Sequence, residues 1–429
     1  MIIPDQRLIQ LTLKVFMMVD LLQCVAHVLQ YCQYTARFSL ILFTNVYAIS
    51  SYCVWLLLLW PLRVLQPSVY WKLESVLFKG LLAMVTTWFF TAGYKIIESG
   101  DELSVLYEKE ALLLANHQST GDVPSIMASL HGRQKVGGTL MWIMDEMFRF
   151  THFGAASTLR KDFFIRQGKA VREQQLLNLH AHLVSDYVAL DRKWIVLFPE
   201  GGFLYKLKES NKKYAEKNKY PVWNHITLPR VGAVKVVLES LADGLSSHVD
   251  TGESAMKISE EMSEIQKLMT EGQQTTYCDT SPLGFQSDED VFHGSLLQWI
   301  IDVTIVYPKD NPLTLVNIGA GSWSACDVLL HFRAYPVSDV PRDEEGMKQW
   351  LFKRFAEKEI MIEEYYSHGT PLSQTDDQKR LLARRKDGAC HFDGLHVVFF
   401  HLFYLISFYF QCLFIWKPIF VCISQAFTL

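Results

Sequence analysis

Two stretches of this chain carry no charged side chain. One runs from Phe38 to Leu62 and includes Leu56-Leu57-Leu58-Leu59-Trp60. The other is residues 394–416, dense in Phe, Leu and Tyr. A bilayer core offers no water to peptide groups, so a spanning segment must satisfy its own backbone, as a helix does. About 20 apolar residues cross a hydrocarbon core of about 30 Å, and both stretches reach that length. Whatever lies between them must fold beside a membrane. Two weaker stretches accompany them. Residues 8–36 are apolar but interrupted by Lys14 and Asp20, and they suit an interfacial helix or a further span equally. Residues 80–94 are charge-free but short, and Trp88, Phe89, Phe90 and Tyr94 fit a membrane-surface or re-entrant segment. The span at 38–62 starts too deep for a signal peptide, and no small-residue cleavage site follows it.

Orientation follows from the flanks. Arg63, Lys72 and Lys79 come after the first strong span, and Lys379, Arg380, Arg384, Arg385 and Lys386 come before the last. Both clusters lie toward the middle region, so the positive-inside rule puts residues 64–393 in the cytosol. The cysteines agree. No Cys-x-x-Cys pair occurs among the eight, so neither a disulfide framework nor a zinc knuckle is indicated. No Asn-x-Ser/Thr acceptor occurs either.

From about residue 104 to 240, short β-rich runs alternate with helical patterns, which argues an α/β domain with helices packed on a sheet. The expected strands are Ala111–Asn116, Thr139–Met144, Ala155–Leu159 and Trp194–Phe198, with a short one at Ile226–Arg230. A helix is expected between Lys169 and Val188, where Leu176, Leu177, Leu179, His180 and Leu183 recur at helical spacing. Trp299–Tyr307 and Val328–Tyr335 read as two further strands. Residues 345–366 read as a helix, with Gly369 and Pro371 past its end. Residues 241–295 are rich in Ser, Thr, Glu, Gly and Gln and poor in aromatics. Such a stretch buries too little apolar surface to offset its ordering entropy, so it is expected to be a mostly disordered insertion. Within it, Ile258, Met262, Ile265 and Met269 allow one short amphipathic helix.

The chemistry gathers at strand ends. Asn116-His117-Gln118-Ser119-Thr120-Gly121-Asp122 follows the apolar run 111–115. On a continuous helix a five-residue step turns about 140°, and the two side chains would diverge. His117 and Asp122 therefore meet only if His117 lies in the strand-to-helix turn and the helix begins near Asp122. Gly121 favours such a turn, and Pro124 is tolerable within a first helical turn. In that geometry Asp122 fixes the tautomer and the other ring nitrogen can take a proton from a hydroxyl. The alternative is that Asp122 caps the helix and His117 is an ordinary strand-end residue. Phe164-Ile165-Arg166 projects a forked, permanently charged donor suited to phosphate. The apolar strand Trp194–Phe198 runs into Pro199-Glu200-Gly201-Gly202, placing Glu200 at a strand's carboxyl end. There it could accept from substrate hydroxyls or orient Arg166. Leu228-Pro229-Arg230 ends another short apolar run. Lysines 206, 208, 212, 213, 217 and 219 form either a solvated face or a contact for phosphates of a nucleotide-like carrier or of anionic lipid. No Gly-x-Ser-x-Gly or His-Glu-x-x-His motif occurs, which disfavours a serine hydrolase and a zinc hydrolase.

These residues, in this order, resemble the glycerolipid acyltransferase family, which includes lysophosphatidic acid and glycerol-3-phosphate acyltransferases. The family's Asn-His-x4-Asp block is matched at Asn116, His117 and Asp122, and Phe-Ile-Arg at Phe164, Ile165 and Arg166. Phe-Pro-Glu-Gly is matched at Phe198, Pro199, Glu200 and Gly201, and the apolar strand ending in proline around Leu228 and Pro229. Gly202 departs from the threonine or serine common there. The resemblance implies a mixed α/β sheet flanked by helices, with membrane helices at both ends. It divides the chain into an apolar or interfacial segment (1–37), a transmembrane helix (38–62), membrane-associated helices (63–100), an acyltransferase core (101–240), the insertion (241–295), a C-terminal part of the domain (296–390) and a final transmembrane helix and tail (391–429). It implies acyl transfer from acyl-CoA to a lysophospholipid hydroxyl at the endoplasmic reticulum membrane. His117 and Asp122 would be catalytic, and Phe164, Arg166, Glu200, Gly201 and Pro229 would bind substrate. No metal, cofactor or nucleic acid is implied; acyl-CoA is a co-substrate and the bilayer a partner. A CoA-independent transacylase and a non-catalytic membrane scaffold of the same fold stand as alternatives.

Overall fold

The computed structural model describes residues 6–133, 136–187, 189–243, 297–308, 312–322, 324–368 and 392–426, with backbone alone for 6–16, 243, 368 and 426. Three helices open the chain: α1 (Gln6–Leu58), α2 (Trp60–Leu65) and α3 (Pro67–Thr91). Then come β1 (Lys95–Gly100), β2 (Ala111–Ala115), α4 (Asp122–His131), β3 (Leu140–Asp145), α5 (His152–Leu159) and β4 (Phe163–Ile165). These are followed by α6 (Arg172–His182), β5 (Trp194–Leu197), α7 (Leu204–Asn218) and α8 (Val231–Leu238). The last group is β6 (Trp299–Val306), α9 (Leu315–Ala320), β7 (Asp327–Pro336), α10 (Glu344–His368), α11 (Gly394–Gln411) and α12 (Lys417–Ala426).

The strands form one seven-stranded sheet in the order β1-β7-β6-β2-β5-β3-β4. Only β6 and β7 pair antiparallel; β2 runs parallel to both β5 and β6. The central strands are apolar on both faces, as a sheet covered on two sides requires. Leu113, Val196 and Ile301 face a core shared with α3, α4 and the α1 face that holds Tyr52. Leu112, Leu114, Ile195 and Ile300 face the opposite core, with Leu179 of α6, Val234 of α8 and Phe355 of α10. The sheet is therefore a mixed α/β layer flanked by helices, as expected from the sequence.

Three local expectations differ from the structure. Residues 155–159 are the second half of α5, not a strand. Thr151 caps that helix, its hydroxyl accepting from the Gly154 N–H at 3.0 Å. Ile226–Arg230 is irregular, because the Thr227 N–H is taken by Glu200 and the Leu228 N–H by the Asn211 side chain rather than by a neighbouring strand. The sheet also begins at Lys95, inside the stretch expected to hold only membrane-associated helices, where β1 pairs parallel with β7. Residues 244–295 of the expected insertion, and residues 369–391 including Gly369, Pro371 and the basic cluster at 379–386, lie outside the described residues.

Among the described residues, three helices are long and apolar enough to cross a membrane: Met17–Leu58, Pro67–Thr91 and Gly394–Gln425. α1 passes without a break through residue 37, where the sequence reading divides it. Its 53 residues give about 80 Å at 1.5 Å per residue, so a core of about 30 Å covers only part of it. Residues 17–33 are exposed, whereas Tyr47, Ala48, Tyr52 and Leu56 are buried. α3 packs between the domain and the other two helices. Its Glu74 is fully buried and accepts from Tyr52 of α1 at 2.7 Å, from Arg160 at 3.0 Å and from Arg192 at 3.0 Å. Asp162 lies 3.3 Å from Arg160. Two carboxylates thus balance two guanidiniums inside the molecule, which is the condition for burying charge at all.

Candidate active site

Parallel pairing brings the carboxyl ends of β2, β5 and β6 side by side, and the predicted residues collect there. Asn116, just past β2, is tied to β6 by two bonds: its Nδ2 donates to the Ile305 carbonyl at 3.0 Å and its Oδ1 accepts from the Ile305 N–H at 2.7 Å. The chain then turns through 117–121 and α4 starts at Asp122. Gly121 is required at this turn, because a Cβ there would sit 2.2 Å from the Leu313 carbonyl oxygen.

His117 and Asp122 meet as the chemistry needs. The Nδ1 of His117 lies 2.9 Å from Asp122 Oδ2. The same oxygen accepts the Ser119 N–H at 2.9 Å, so Asp122 both braces the turn and orients the imidazole. Its other oxygen accepts the Tyr307 hydroxyl at 2.6 Å. Asp122 is fully buried and His117 is 8% exposed. The imidazole lies between Phe198, stacked at 4.0 Å, and Phe203, tilted at 4.3 Å. With Nδ1 committed to Asp122, Nε2 is the nitrogen left for a substrate hydroxyl.

Glu200 is a backbone clamp. Its Oε1 accepts the His117 N–H at 2.6 Å, and its Oε2 accepts the N–H and hydroxyl of Thr227, each at 2.8 Å. It therefore locks the β2 turn to the 224–230 loop, and it does not orient Arg166. Burial pushes its carboxyl up to about 7, against the hydrogen bonds from His117 and Thr227 that favour ionisation. Tyr307 is pushed the same way, well above the ordinary phenol value, first by burial and then by the Asp122 charge. It stays a donor.

Arg166 stands apart from the imidazole at the end of β4. Its guanidinium pairs with Glu146, Nη2 to Oε1 at 3.2 Å, and its side chain is 60% exposed. Hydrogen bonding with Glu146 raises the guanidinium pKa and lowers the carboxyl pKa. The neighbouring Gln167 connects this corner to the centre, donating to Asp145 at 2.9 Å and to the Gly201 carbonyl, and accepting from Arg230 at 2.8 Å. Gly201 has φ +72°, and a Cβ would lie 2.9 Å from the Arg230 guanidinium carbon; this residue needs both its backbone freedom and its missing side chain. Burial, then the nearby Arg172 charge, lowers the Arg230 pKa. Phe164 is buried in β4 under the Arg149 guanidinium, 4.6 Å from its ring centre. Pro229 is buried in its loop, and its neighbour Arg230 donates its N–H to the Pro199 carbonyl at 2.8 Å.

Tyr307, Thr227 and Phe203 complete the site without having been singled out from the sequence. The one signal was position: Tyr307 directly follows the apolar strand β6, whose end lies beside that of β2. The N–H groups of His117 and Ser119 are both engaged, by Glu200 and Asp122. Among the described residues no cluster of His, Cys, Asp and Glu could hold a metal ion. The site that results is a buried imidazole with one fixed nitrogen, and a separate corner where Gln167 bridges Arg230 and the Gly201 carbonyl and Arg166 pairs with Glu146.

The chain is similar to known proteins. Residues 96–240 match the family model described as Acyltransferase, and residues 322–387 the one described as Acyltransferase C-terminus. Acyl-CoA:lysophosphatidylglycerol acyltransferase 1 from Mus musculus is 36% identical over 383 residues, covering 88% of this chain and 95% of its own. The Homo sapiens protein of that name is 38% identical over 333 residues, covering 78% and 81%. The putative 1-acyl-sn-glycerol-3-phosphate acyltransferase acl-12 from Caenorhabditis elegans is 26% identical over 318 residues, covering 73% and 71%.

Proposed function

Because the chain belongs to the glycerolipid acyltransferase family, we propose that it moves an acyl group from acyl-CoA to a free glycerol hydroxyl of a lysophospholipid. The observation that carries the mechanism is the 2.9 Å contact between His117 and Asp122 at the end of β2. The acceptor hydroxyl gives its proton to Nε2 of His117 as its oxygen attacks the thioester carbonyl. Asp122 stabilises the imidazolium that forms. Collapse of the tetrahedral intermediate breaks the carbon–sulfur bond, and the imidazolium proton passes to the departing thiolate. Arg166 and Arg230 are placed to hold the head-group phosphate, Arg166 after exchanging Glu146 for it. Lysophosphatidylglycerol is the first acceptor to test, since relatives carry that substrate in their names; lysophosphatidylethanolamine is the second. The basic cluster at 379–386, ahead of the last apolar stretch, supports a cytosolic catalytic domain, and we assign the enzyme to the endoplasmic reticulum membrane.

Membranes bearing the wild type or His117→Ala, supplied with radiolabelled acyl-CoA and a panel of lysolipids, test this reading. The variant should lose roughly 10²–10⁴-fold in rate, the usual worth of a general base. Unchanged turnover would sink the mechanism. Labelled product from a donor phospholipid, with none from acyl-CoA, would instead indicate a transacylase.

A further inference from the structure

α7 starts at the active site and leads away from it, and its charge does not serve the fold. The Leu204 N–H donates to the His117 carbonyl at 2.8 Å, fixing the start of the helix beside the imidazole. Its inner row is Leu207, Asn211 and Ala215, of which Ala215 is fully buried and Asn211 holds the Leu228 N–H. Lys206, Lys213 and Lys217 are spaced i, i+7 and i+11 and fall within about 40° of one another on the opposite side. All three are exposed, and no carboxylate among the described residues pairs with them. They form a row of charge about 16 Å long. Glu209 and Glu216 flank it on one side and keep it narrow.

Aromatic rings link this row to the imidazole. Phe203 packs on His117 at 4.3 Å, and Tyr205, itself exposed, stacks on Phe203 at 5.5 Å with planes 11° apart. The Lys206 ammonium lies over both rings, 5.4 Å and 5.8 Å from their centres. We propose that this face of α7 binds the nucleotide end of the acyl donor, with Lys206, Lys213 and Lys217 on its phosphates and Tyr205 as a platform for its purine ring. This rests on acyl-CoA being the donor. A narrow cationic row with an aromatic step suits a slender polyanion that carries a base. A lipid surface would be met by a broad face, which the two glutamates interrupt. The row also begins where the thioester must lie, so one extended donor could reach both.

The test uses the whole enzyme in phosphatidylcholine vesicles and the triple variant Lys206→Gln, Lys213→Gln, Lys217→Gln. With acyl-CoA the variant should show at least a tenfold higher donor KM and a nearly unchanged kcat. With an acyl-N-acetylcysteamine thioester, which lacks phosphates, the two proteins should be equal, and that equality also certifies the fold. A donor KM within twofold of wild type would overturn the site. So would an equal defect with the truncated donor. A defect seen only when phosphatidylglycerol is added to the vesicles, and with either donor, would make the row a lipid contact and overturn it too. If the wild type uses a donor phospholipid and not acyl-CoA, the donor assignment falls together with the site. If it uses acyl-CoA and the variant matches it, only the site falls.

Discussion

Both oxygens of Asp122 are occupied, one by His117 and Ser119 and the other by Tyr307. The phenol therefore helps set how much carboxylate charge faces the imidazole. Tyr307→Phe removes that donor and should lower kcat/KM by about tenfold, on the order of one hydrogen bond to a charged group. An unchanged rate in a folded variant would reduce Tyr307 to a packing residue. Glu200 gives a second expectation. Its folded pKa of about 7 stands above the ordinary 4.5, so the folded state holds the proton more tightly than the unfolded chain. The stability it contributes is complete below about 4.5 and is lost as pH rises through about 7, up to about 3 kcal/mol. Thermal melts of wild type and Glu200→Gln across that window should converge or cross as the wild type weakens. A constant difference would count against the raised value. The meeting of His117 and Asp122 was legible, because it follows from a short spacing at a strand end; the position of Glu200 was legible too, but its role as a clamp on the His117 and Thr227 backbone was not. Tyr307 was not: it meets Asp122 across 185 positions of sequence, and no local pattern announces such a contact.

Among the elements, those built mostly of apolar residues were readable. β2, β5 and β6 bury every residue, and their sequences show it. α5 was read as a strand because Ala155-Ala156-Ser157-Thr158-Leu159 is short and apolar enough for either form, and only the Thr151 cap decides. β1 was missed because Lys95 and Glu98 break its apolar pattern; Glu98 is tolerated inside since Ser129 of α4 and Arg133 just past that helix bond to it. α10 was legible as a helix but not as a brace. Its Glu359 accepts the N–H groups of Asn224 and His225 at 2.6 and 3.0 Å, and its Glu363 meets the His225 ring at 2.6 Å. The Asp302–Lys358 pair at 2.8 Å anchors the same helix under β6. α10 thereby holds the loop that presents Thr227 to Glu200. Glu359→Ala should loosen that loop, lowering kcat by several-fold and raising amide exchange at 224–228, while melting of the remaining domain changes little. Unchanged exchange there would show that the loop holds itself.

At the scale of the molecule, the helices meant for the bilayer and the domain meant for water share one dry charge cluster. Glu74 on α3 neutralises Arg160, which precedes β4, and Arg192, which precedes β5. Glu74→Leu leaves two guanidiniums facing one carboxylate in the interior. Breaking such a pair costs about 3–5 kcal/mol, a large share of an ordinary protein's stability of about 5–15 kcal/mol. The variant should accumulate poorly, or melt well below the wild type in detergent, and an unchanged melting temperature would refute the cluster's role. Its fold class was legible from the sequence, but this joint was not, since no spacing relates position 74 to 160 and 192.

The buried Glu74 also limits how this architecture can be recombined. Grafting α1 to α3 onto a foreign catalytic unit would bring an acid with no base to meet it, and the abandoned unit would keep two cations it could not hydrate. Anchor and engine can be swapped only with their matching partners at 74, 160 and 192, so exchanges between relatives are constrained by three side chains rather than by where the hydrophobic stretch ends.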